Sequence, residues 1–322
     1  MSTRASLTPA RLGTCTALVG LAFVASACGY GPAPSNVAKA PNASATSSSI
    51  GPLIARVAAA GDVACAAAAS KPGCRAADTA ALVKRLKPQQ VLVLGDLAYE
   101  AGSTSEFTNG YGPTWGAFKS KSFPVPGNHE YNSDNAQPYK DWWGVAATPQ
   151  GTTWHSTRIG GWLILGLDSN CDESAVGGCG SDSAQGQWLA AQLKSSPKCV
   201  LAIWHHPRRS SGPHGDNSSV APLWKQLARA HADLVLEGHD HDYERFAPAD
   251  ANANPAKVGM VGIVVGTGGK QLYPFIGQSP GSLVRVQGVN GVLAVDLHQR
   301  GWAWRFTGTD GKVRDRGSAA CQ

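Results

Sequence analysis

The stretch Gly238-His239-Asp240-His241-Asp242-Tyr243-Glu244-Arg245 decides how this 322-residue chain is interpreted. It follows an apolar run, residues 232–236, that is typical of a buried strand. Glycine at position 238 allows the backbone to turn sharply where that strand ends. Two histidines separated by one residue can then point into one cleft, and imidazole is a common metal ligand. The alternative is a polar surface loop, and other stretches of the chain decide between the two.

Two earlier apolar runs each end in Gly-Asp. Residues 54–60 lead into Gly61-Asp62, and residues 91–94 lead into Gly95-Asp96, which is followed by Leu97-Ala98-Tyr99. Carboxylates just past the C-terminal ends of strands lie where open α/β folds place their chemistry. A single aspartate there is more typical of a turn, but its repetition favours a shared site.

Three further stretches carry histidines in positions suited to the same cleft. In Gly127-Asn128-His129-Glu130, the Asn128 amide offers a neutral oxygen, and His129 beside it suits acid–base chemistry. Residues 199–204 predict a buried strand that ends in His205-His206, where His206 should point away from the metals, with contact to the substrate as the alternative. His214 lies in a glycine-rich loop and suggests a substrate-pocket histidine, with a solvated loop residue as the alternative. The intervening Arg208-Arg209 is interpreted as a solvated basic pair, with contact to a phosphate group as the alternative.

The order of predicted elements indicates the fold class. Helical patterns alternate with strands in the first two thirds of the chain, and a strand-rich part follows. Helices are predicted at 76–87 and 183–193, with a third from 220, and further strands at 162–167, 258–265, 283–286, 292–297 and 302–306. We expect an α/β fold in which two packed mixed β-sheets are flanked by helices, giving four layers.

The net charge argues against nucleic-acid binding, and the cysteines favour disulfide bonds over a zinc site. The formal net charge of +6 is too small and too scattered to favour nucleic-acid binding. Setting aside Cys15 and Cys28, six cysteines remain, which allow fifteen pairings. Cys65–Cys74 and Cys171–Cys179 would close short loops, which leaves Cys199–Cys321 by elimination. Zinc binding is the alternative, but these cysteines lack the usual Cys-x-x-Cys spacing.

The N-terminal residues 1–27 are interpreted as an export signal. A basic start, Arg4 and Arg11, precedes an apolar run at 16–24 that is too short to span a membrane. Ala25-Ser26-Ala27 before Cys28 resembles a bacterial lipoprotein box, although Ala25 stands where leucine or valine is usual. Plain secretion is the alternative. Residues 28–53 are predicted to be a flexible tether, and residues 54–322 the folded domain.

The motifs, taken in order, resemble those of the calcineurin-like metallophosphoesterases over about residues 55–310. Tyr99 after Asp96, and Tyr243-Glu244-Arg245 after the histidines, resemble the purple acid phosphatase branch. The chain is similar to the short, single-domain bacterial type, without the separate N-terminal β-domain of long plant forms. The resemblance implies two metal ions bridged by Asp96, of which one suits Fe(III) and the other Zn(II), Mn(II) or Fe(II). It assigns Asp62, Tyr99 and His241 to the first ion and Asn128, His205 and His239 to the second.

The resemblance also implies the activity. It predicts an exported phosphatase that hydrolyses small phosphomonoesters by attack of a metal-bound hydroxide, with His129 and His214 as catalytic residues. A phosphodiesterase acting on nucleotides or lipid head groups is the first alternative. The second is a non-catalytic surface binding lipoprotein, which the intact ligand set argues against. We expect no nucleic-acid partner, a monomer, and membrane attachment through Cys28 if that residue is lipidated.

Overall fold

The computed structural model describes residues 47–65, 73–195 and 197–322. The predicted export signal, Cys28 and the predicted tether up to residue 46 lie outside the described residues. Within the described part of the chain, none of the helices is long and apolar enough to cross a membrane.

Thirteen strands within the described ranges form two mixed sheets. The strands are β1 Leu53–Ala60, β2 Gln90–Leu94, β3 Ser122–Val125, β4 His155–Ile159, β5 Trp162–Gly166, β6 Cys199–Ile203, β7 Leu234–Glu237, β8 Tyr243–Phe246, β9 Val261–Val265, β10 Ser282–Val286, β11 Gly291–His298, β12 Gly301–Gly308 and β13 Val313–Ala320. The first sheet has the order β13-β12-β11-β1-β2-β3, and the second β10-β8-β9-β7-β6-β5-β4. The predicted pair of mixed sheets is confirmed.

Short helices connect the strands. The α-helices are α1 Ser47–Ile50, α2 Ala76–Leu86, α3 Thr104–Glu106, α4 Asn128–Tyr131, α5 Gln137–Trp143, α6 Ala184–Leu193 and α7 Ala221–Arg229. A π-helical turn covers Phe107–Tyr111, and 3₁₀ turns cover Trp115–Lys121, Asp134–Ala136, Gly144–Ala146 and Pro149–Gly151. The helix α2 packs next to β11 of the first sheet, while α6 and α7 contact each other.

The strands β5, β6, β7 and β9 in the middle of the second sheet are buried on both faces, which explains their continuous apolar runs. Ile164 and Leu201 belong to the core cluster shared with the first sheet. Their chain neighbours Leu165 and Val200 instead pack with Leu189 of α6 and with α7. Side chains that alternate between two apolar layers in this way place helices outside the sheet, as the α/β/β/α layering requires.

The parallel strands in each sheet bring their C-terminal ends to one edge. In the first sheet β1, β2 and β3 run parallel. In the second sheet β5, β6 and β7 run parallel. The chemistry-bearing stretches of the sequence directly follow β1, β2, β3, β6 and β7, so the fold gathers them in one place.

A buried cluster around Asp315 joins the two sheets. The Asp315 carboxylate, on β13, accepts hydrogen bonds from the Tyr243 hydroxyl at 2.7 Å and from Arg245 Nε and Nη2 at 2.7 and 3.2 Å. The indole Nε1 of Trp304 donates to the same carboxylate at 2.9 Å. Tyr243 and Arg245 lie on β8 of the second sheet, so their contacts to β13 stabilise the packing of one sheet against the other.

All three predicted disulfides are present: Cys65–Cys74, Cys171–Cys179 and Cys199–Cys321. Cys199 begins β6, so the third bond fastens the C-terminal end of the chain to a central strand. The backbone N–H of Gln322 also donates to Asp233 Oδ1 at 2.8 Å. The other oxygen of Asp233, Oδ2, accepts the backbone N–H of Val200 on β6 at 2.8 Å. The start of the strand that leads to His205 is therefore fixed by both a covalent bond and hydrogen bonds.

Candidate metal centre

The turns after the strands have unusual backbone conformations. Asp62, Asp96 and His239 adopt φ angles of 60°, 50° and 71°. Positive φ is uncommon for residues other than glycine, and it persists where the surrounding structure enforces it, often at functional sites. Three of the predicted ligands therefore lie in backbone conformations that the rest of the fold must support.

The first group of predicted ligands meets around the Tyr99 hydroxyl. This oxygen lies 2.8 Å from Asp62 Oδ1, 2.9 Å from Asp96 Oδ2 and 3.0 Å from His241 Nε2. The other ring nitrogen of His241, Nδ1, lies 2.6 Å from the carbonyl oxygen of Gln271. Because Nδ1 donates to that carbonyl, the lone pair of Nε2 faces the cluster, as a metal ligand requires.

The second group meets around His205 Nε2. This atom lies 3.2 Å from Asn128 Oδ1, 3.2 Å from His239 Nδ1 and 3.4 Å from Asp96 Oδ2. His205 Nδ1 donates to the carbonyl of Leu94 at 2.8 Å, which leaves Nε2 free for the cluster. Asp96 Oδ2 thus contacts both groups. The structure brings all seven predicted ligands together with Asp96 between the two sets.

The chemistry of these donors fits a pair of cations. The Asp62 and Asp96 side chains pair with histidines, and among the described residues no lysine or arginine forms an ion pair with either. Burial, followed by the charges of Asp62 and Asp96, raises the pKa of Tyr99 well above its ordinary value. Two carboxylates, a phenol, an amide oxygen and three imidazoles therefore converge with neither carboxylate paired to a described lysine or arginine, and metal ions would supply the balancing positive charge. The ammonium of Lys270 lies over the Tyr99 ring, 4.2 Å from its centroid, but it pairs with Glu100.

Glu130 positions the ligands of this centre without being one of them, a role that the sequence analysis did not predict. Its fully buried carboxylate accepts backbone hydrogen bonds from Asp96 at 2.9 Å, Leu97 at 2.8 Å and Gly127 at 2.7 Å. Burial, then the charge of Asp96, raises the pKa of Glu130 to about 8. Glu130 holds the turn after β2 against the turn after β3, and so fixes Asp96 relative to Asn128.

Two glycines are required by the close approach of these turns. A Cβ at Gly127 would lie 2.1 Å from Asp96 Oδ1, and a Cβ at Gly95 would lie 2.5 Å from His205 Nδ1. Gly95 also has φ +87°, which side chains rarely adopt. The Gly-Asp and Gly-Asn pairs of the sequence therefore reflect the packing of the cluster as well as the turning of the chain.

His129 lies beside the cluster. Its Nε2 is 3.8 Å from Asp96 Oδ2, and its ring centroid is 4.4 Å from that of Tyr99. Nδ1 lies 2.5 Å from the carbonyl oxygen of Glu100, and the His129 backbone N–H donates to Asp96 Oδ1 at 3.0 Å. The side chain is 26% exposed, so Nε2 can meet a molecule bound at the cluster.

His214 lies next to the second group of ligands. Its ring centroid is 4.0 Å from that of His239, and Nδ1 is 2.8 Å from Asp240 Oδ1. Tyr273 packs its ring on that of His241, 4.0 Å away and tilted by only 9°, and lies 5.6 Å from the ring of His214. His214 and Tyr273 therefore form part of the wall around the cluster.

Arg209 is buried, so the prediction that it is solvated is wrong. Only 3% of the residue is exposed, and the guanidinium lies over the rings of Phe246 at 4.6 Å and Trp224 at 5.4 Å. Burial lowers the pKa of Arg209 from its ordinary value. The aromatic contacts and hydrogen bonds to backbone carbonyls make it a packing residue of the second sheet.

A profile of the calcineurin-like phosphoesterase family matches residues 55–243, which is more than half of the chain. The chain belongs to the calcineurin-like phosphoesterase family. Over 139 residues, this calcineurin-like phosphoesterase is 33% identical to purple acid phosphatase 21 of Arabidopsis thaliana, a match that covers 38% of the chain and 31% of that relative.

Solved structures show the same fold as this calcineurin-like phosphoesterase. Purple acid phosphatase PPD1 from yellow lupin seeds superposes with a TM-score of 0.66 at 19% identity, covering 82% of this chain and 53% of that one. GAP50, the anchor in the inner membrane complex of Plasmodium, superposes with a TM-score of 0.61 at 17% identity, covering 83% and 89%. The predicted metallophosphoesterase fold is confirmed, and the chain spans from about a third to half of the phosphatases it matches.

Proposed function

We propose that this protein is a dinuclear-metal phosphatase that hydrolyses phosphate monoesters. The observation that carries the proposal is the convergence of seven ligand-type side chains into two groups that share Asp96, with His129 and His214 beside them. The family membership and the likeness to purple acid phosphatases support phosphate esters as the substrate class. Because GAP50, an anchor protein, has the same fold, the fold alone does not show that this protein is an enzyme. The ligand cluster is therefore the stronger support for catalysis.

The residues that would hold the two ions differ in hardness. Asp62 and Asp96 offer carboxylate oxygens to the first ion, together with His241 and with Tyr99, whose phenol would become anionic on binding Fe(III). Asn128, His205 and His239 are neutral and suit Zn(II), Mn(II) or Fe(II). When bound, the ions supply Lewis acidity toward the phosphoryl oxygens and lower the pKa of the attacking water. The protein contributes the fixed positions of these donors through Glu130, Leu94 and Gln271.

The absorption spectrum of Tyr99 bound to metal would identify the first ion. Because its surroundings keep the phenol protonated, only a strongly charged cation would ionise it. We expect iron-loaded, oxidised protein to show a visible phenolate-to-Fe(III) absorption band, and Tyr99→Phe to lose that band while keeping the far-UV circular dichroism of the wild type. Colourless wild-type protein at full iron content would mean that the first ion is not Fe(III) bound to Tyr99.

His129 is assigned to protonation of the leaving oxygen. The Glu100 carbonyl holds Nδ1, so Nε2 is the nitrogen free to transfer a proton toward a substrate at the cluster. General acid catalysis typically contributes roughly 10²–10⁴-fold. We expect His129→Ala to lower kcat by about that factor, most for esters with poor leaving groups, with two metal ions retained per chain. Loss of metal in parallel with activity would show that His129 supports the ligands instead.

Comparing substrates separates the proposed activity from its alternatives. The measurement is the turnover of 4-nitrophenyl phosphate and of bis(4-nitrophenyl) phosphate by metal-loaded full-length protein. We expect the monoester to be the better substrate by kcat/KM. A preference for the diester would favour the phosphodiesterase alternative. Absence of any turnover with both ions bound would favour the non-catalytic binding protein.

We further propose that the protein is exported, with residues 1–27 as the signal, Cys28 as the lipid attachment site and the following residues up to 46 as the tether of the catalytic domain. The tether was predicted to extend to residue 53, but α1 Ser47–Ile50, with Ile50 buried, and the start of β1 at Leu53 belong to the folded domain. Three disulfides in the described part of the chain support an oxidising compartment. We expect the protein expressed in a bacterial host to partition into the detergent phase, and Cys28→Ser to move it to the aqueous phase. Wild-type protein in the aqueous phase would indicate plain secretion.

A further inference from the structure

His206 has a second contact with the metal centre besides its place in the chain next to His205. Its ring centroid lies 4.5 Å from that of His239, with the rings tilted by 55°, and 5.1 Å from that of His205. The indole of Trp204 donates to the carbonyl of His206 at 2.8 Å and fixes the backbone at this point. His206, predicted to point away from the metals, therefore packs against the second group of ligands.

Ser169 determines which nitrogen of His206 carries the hydrogen. The Ser169 hydroxyl oxygen accepts the backbone N–H groups of His205 at 3.2 Å and of His206 at 2.9 Å. Its own hydrogen is thus left for His206 Nδ1, which lies 2.9 Å away. Because Nδ1 accepts that hydrogen bond, the ring hydrogen resides on Nε2.

The Nε2–H of His206 is a free donor beside the second group. No hydrogen-bond partner for it lies among the described residues, and the residue is only partly buried. His214 is held in a comparable way, since its Nδ1 and its backbone N–H both contact Asp240 Oδ1, at 2.8 and 3.1 Å. Each histidine contacts the ring of His239 and leaves its Nε2 available.

We propose that His206 donates its Nε2–H to a non-bridging phosphoryl oxygen and thereby favours monoesters over diesters. This rests on the proposed function. A phosphomonoester carries about −1.5 to −2 charges at pH 7 on three acceptor oxygens. A diester carries one negative charge and has an ester group in place of the third oxygen. A donor placed for that third oxygen gains a charge-assisted hydrogen bond only with the monoester.

The test compares His206→Phe and His206→Gln with the wild type, all as metal-loaded full-length proteins. Loss of a hydrogen bond to a charged group corresponds to roughly a 10- to 100-fold change. We expect His206→Phe to lower kcat/KM for 4-nitrophenyl phosphate by about that factor, while bis(4-nitrophenyl) phosphate changes at most about threefold. Inorganic phosphate should bind more weakly by a similar factor in calorimetry. His206→Gln keeps an N–H donor and should recover part of both losses.

Several outcomes would overturn the role of His206. Equal losses for monoester and diester, or fewer than two ions per chain in His206→Phe, would show that the residue only supports His239. Unchanged kinetics and phosphate binding would show that it makes no contact. His231→Phe, the same change at an exposed histidine, controls for the substitution itself. If wild-type protein hydrolyses no monoester, the proposed function fails, whereas the phosphate calorimetry still tests the contact with His206.

Discussion

Replacing Asp96 by alanine is expected to remove the pairing of the metal ions and hydrolysis together, with kcat/KM falling by at least about 10³-fold. The reason is the position of Asp96 between the two ligand groups. Its Oδ2 lies 2.9 Å from the Tyr99 hydroxyl and 3.4 Å from His205 Nε2, so no other described side chain joins the groups in the same way. The measurements are metal content per chain and turnover of a phosphomonoester.

The control for this variant is Asp182→Ala, which removes an exposed carboxylate far along the chain from the ligand motifs. It should keep two ions and wild-type turnover. Far-UV circular dichroism should show that both variants are folded. If Asp96→Ala still binds two ions per chain, Asp96 is not the bridging ligand, and the two-group interpretation of the centre is wrong.

Replacing Asp315 by alanine is expected to cost about 3–5 kcal/mol of the free energy of unfolding. The substitution leaves the buried Arg245 guanidinium without its carboxylate, and it also removes the acceptor of Tyr243 and Trp304. Because these contacts link β13 of one sheet to β8 of the other, the loss affects the packing of both sheets. Urea unfolding with the disulfides intact measures the effect.

Two matched variants sharpen the test. Asp310→Ala breaks the exposed pair with Arg314 and should change stability little, since exposed ion pairs contribute little. Asp315→Asn keeps the shape and part of the hydrogen bonding, and should be intermediate and remain folded. If Asp315→Ala unfolds at the same urea concentration as Asp310→Ala, the cluster does not stabilise the joint between the sheets.

The Asp315 cluster also predicts the direction of a pH effect. Burial alone would raise the pKa of Asp315, but the hydrogen bond and charge of Arg245 hold it below its ordinary value. The stabilisation is therefore present at neutral pH and is lost as the pH falls through the folded-state pKa. The difference in stability between the wild type and Asp315→Ala should shrink in acid.

Much of the centre could be predicted because its ligands follow strands in a readable order. Apolar runs at 54–60, 91–94, 199–204 and 232–236 correspond to β1, β2, β6 and β7, and parallel strands bring the residues after them to one edge. Tyr99 lies three residues after Asp96, close enough for its hydroxyl to meet the Asp96 carboxylate. The local sequence pattern and the order of the strands are enough to predict ligands that directly follow a parallel strand.

Other residues depend on contacts that no local pattern contains. Glu130 acts through backbone N–H groups more than thirty residues away, and nothing about a single glutamate indicates that. Arg209 is buried because Phe246 and Trp224 come from distant segments to cover its guanidinium. The ring of His206 is oriented by a hydrogen bond with Ser169, which follows strand β5 and lies far from His206 in the sequence.

Strand β13 was not predicted either, for a physical reason. Its sequence, Val313-Arg314-Asp315-Arg316, carries charges at neighbouring positions, which hides the alternation of an ordinary half-buried strand. The strand forms because β12 supplies its hydrogen bonds and Asp315 finds buried partners across the sheets. The strands β3, β4 and β8 were likewise missed, since each has only four or five residues. Strand β3 also contains Pro124, and β4 and β8 lie within polar or loop-rich stretches.

The dinuclear centre is tested by measuring the hydrolysis of a phosphomonoester by metal-free protein as metal ions are returned in measured equivalents. Two ions sharing one carboxylate must both be present for the proposed chemistry. We predict no turnover without metal, little after one equivalent and full turnover only after the second. Full activity in metal-free protein, or a plateau reached at one equivalent, would contradict a dinuclear centre built on Asp96.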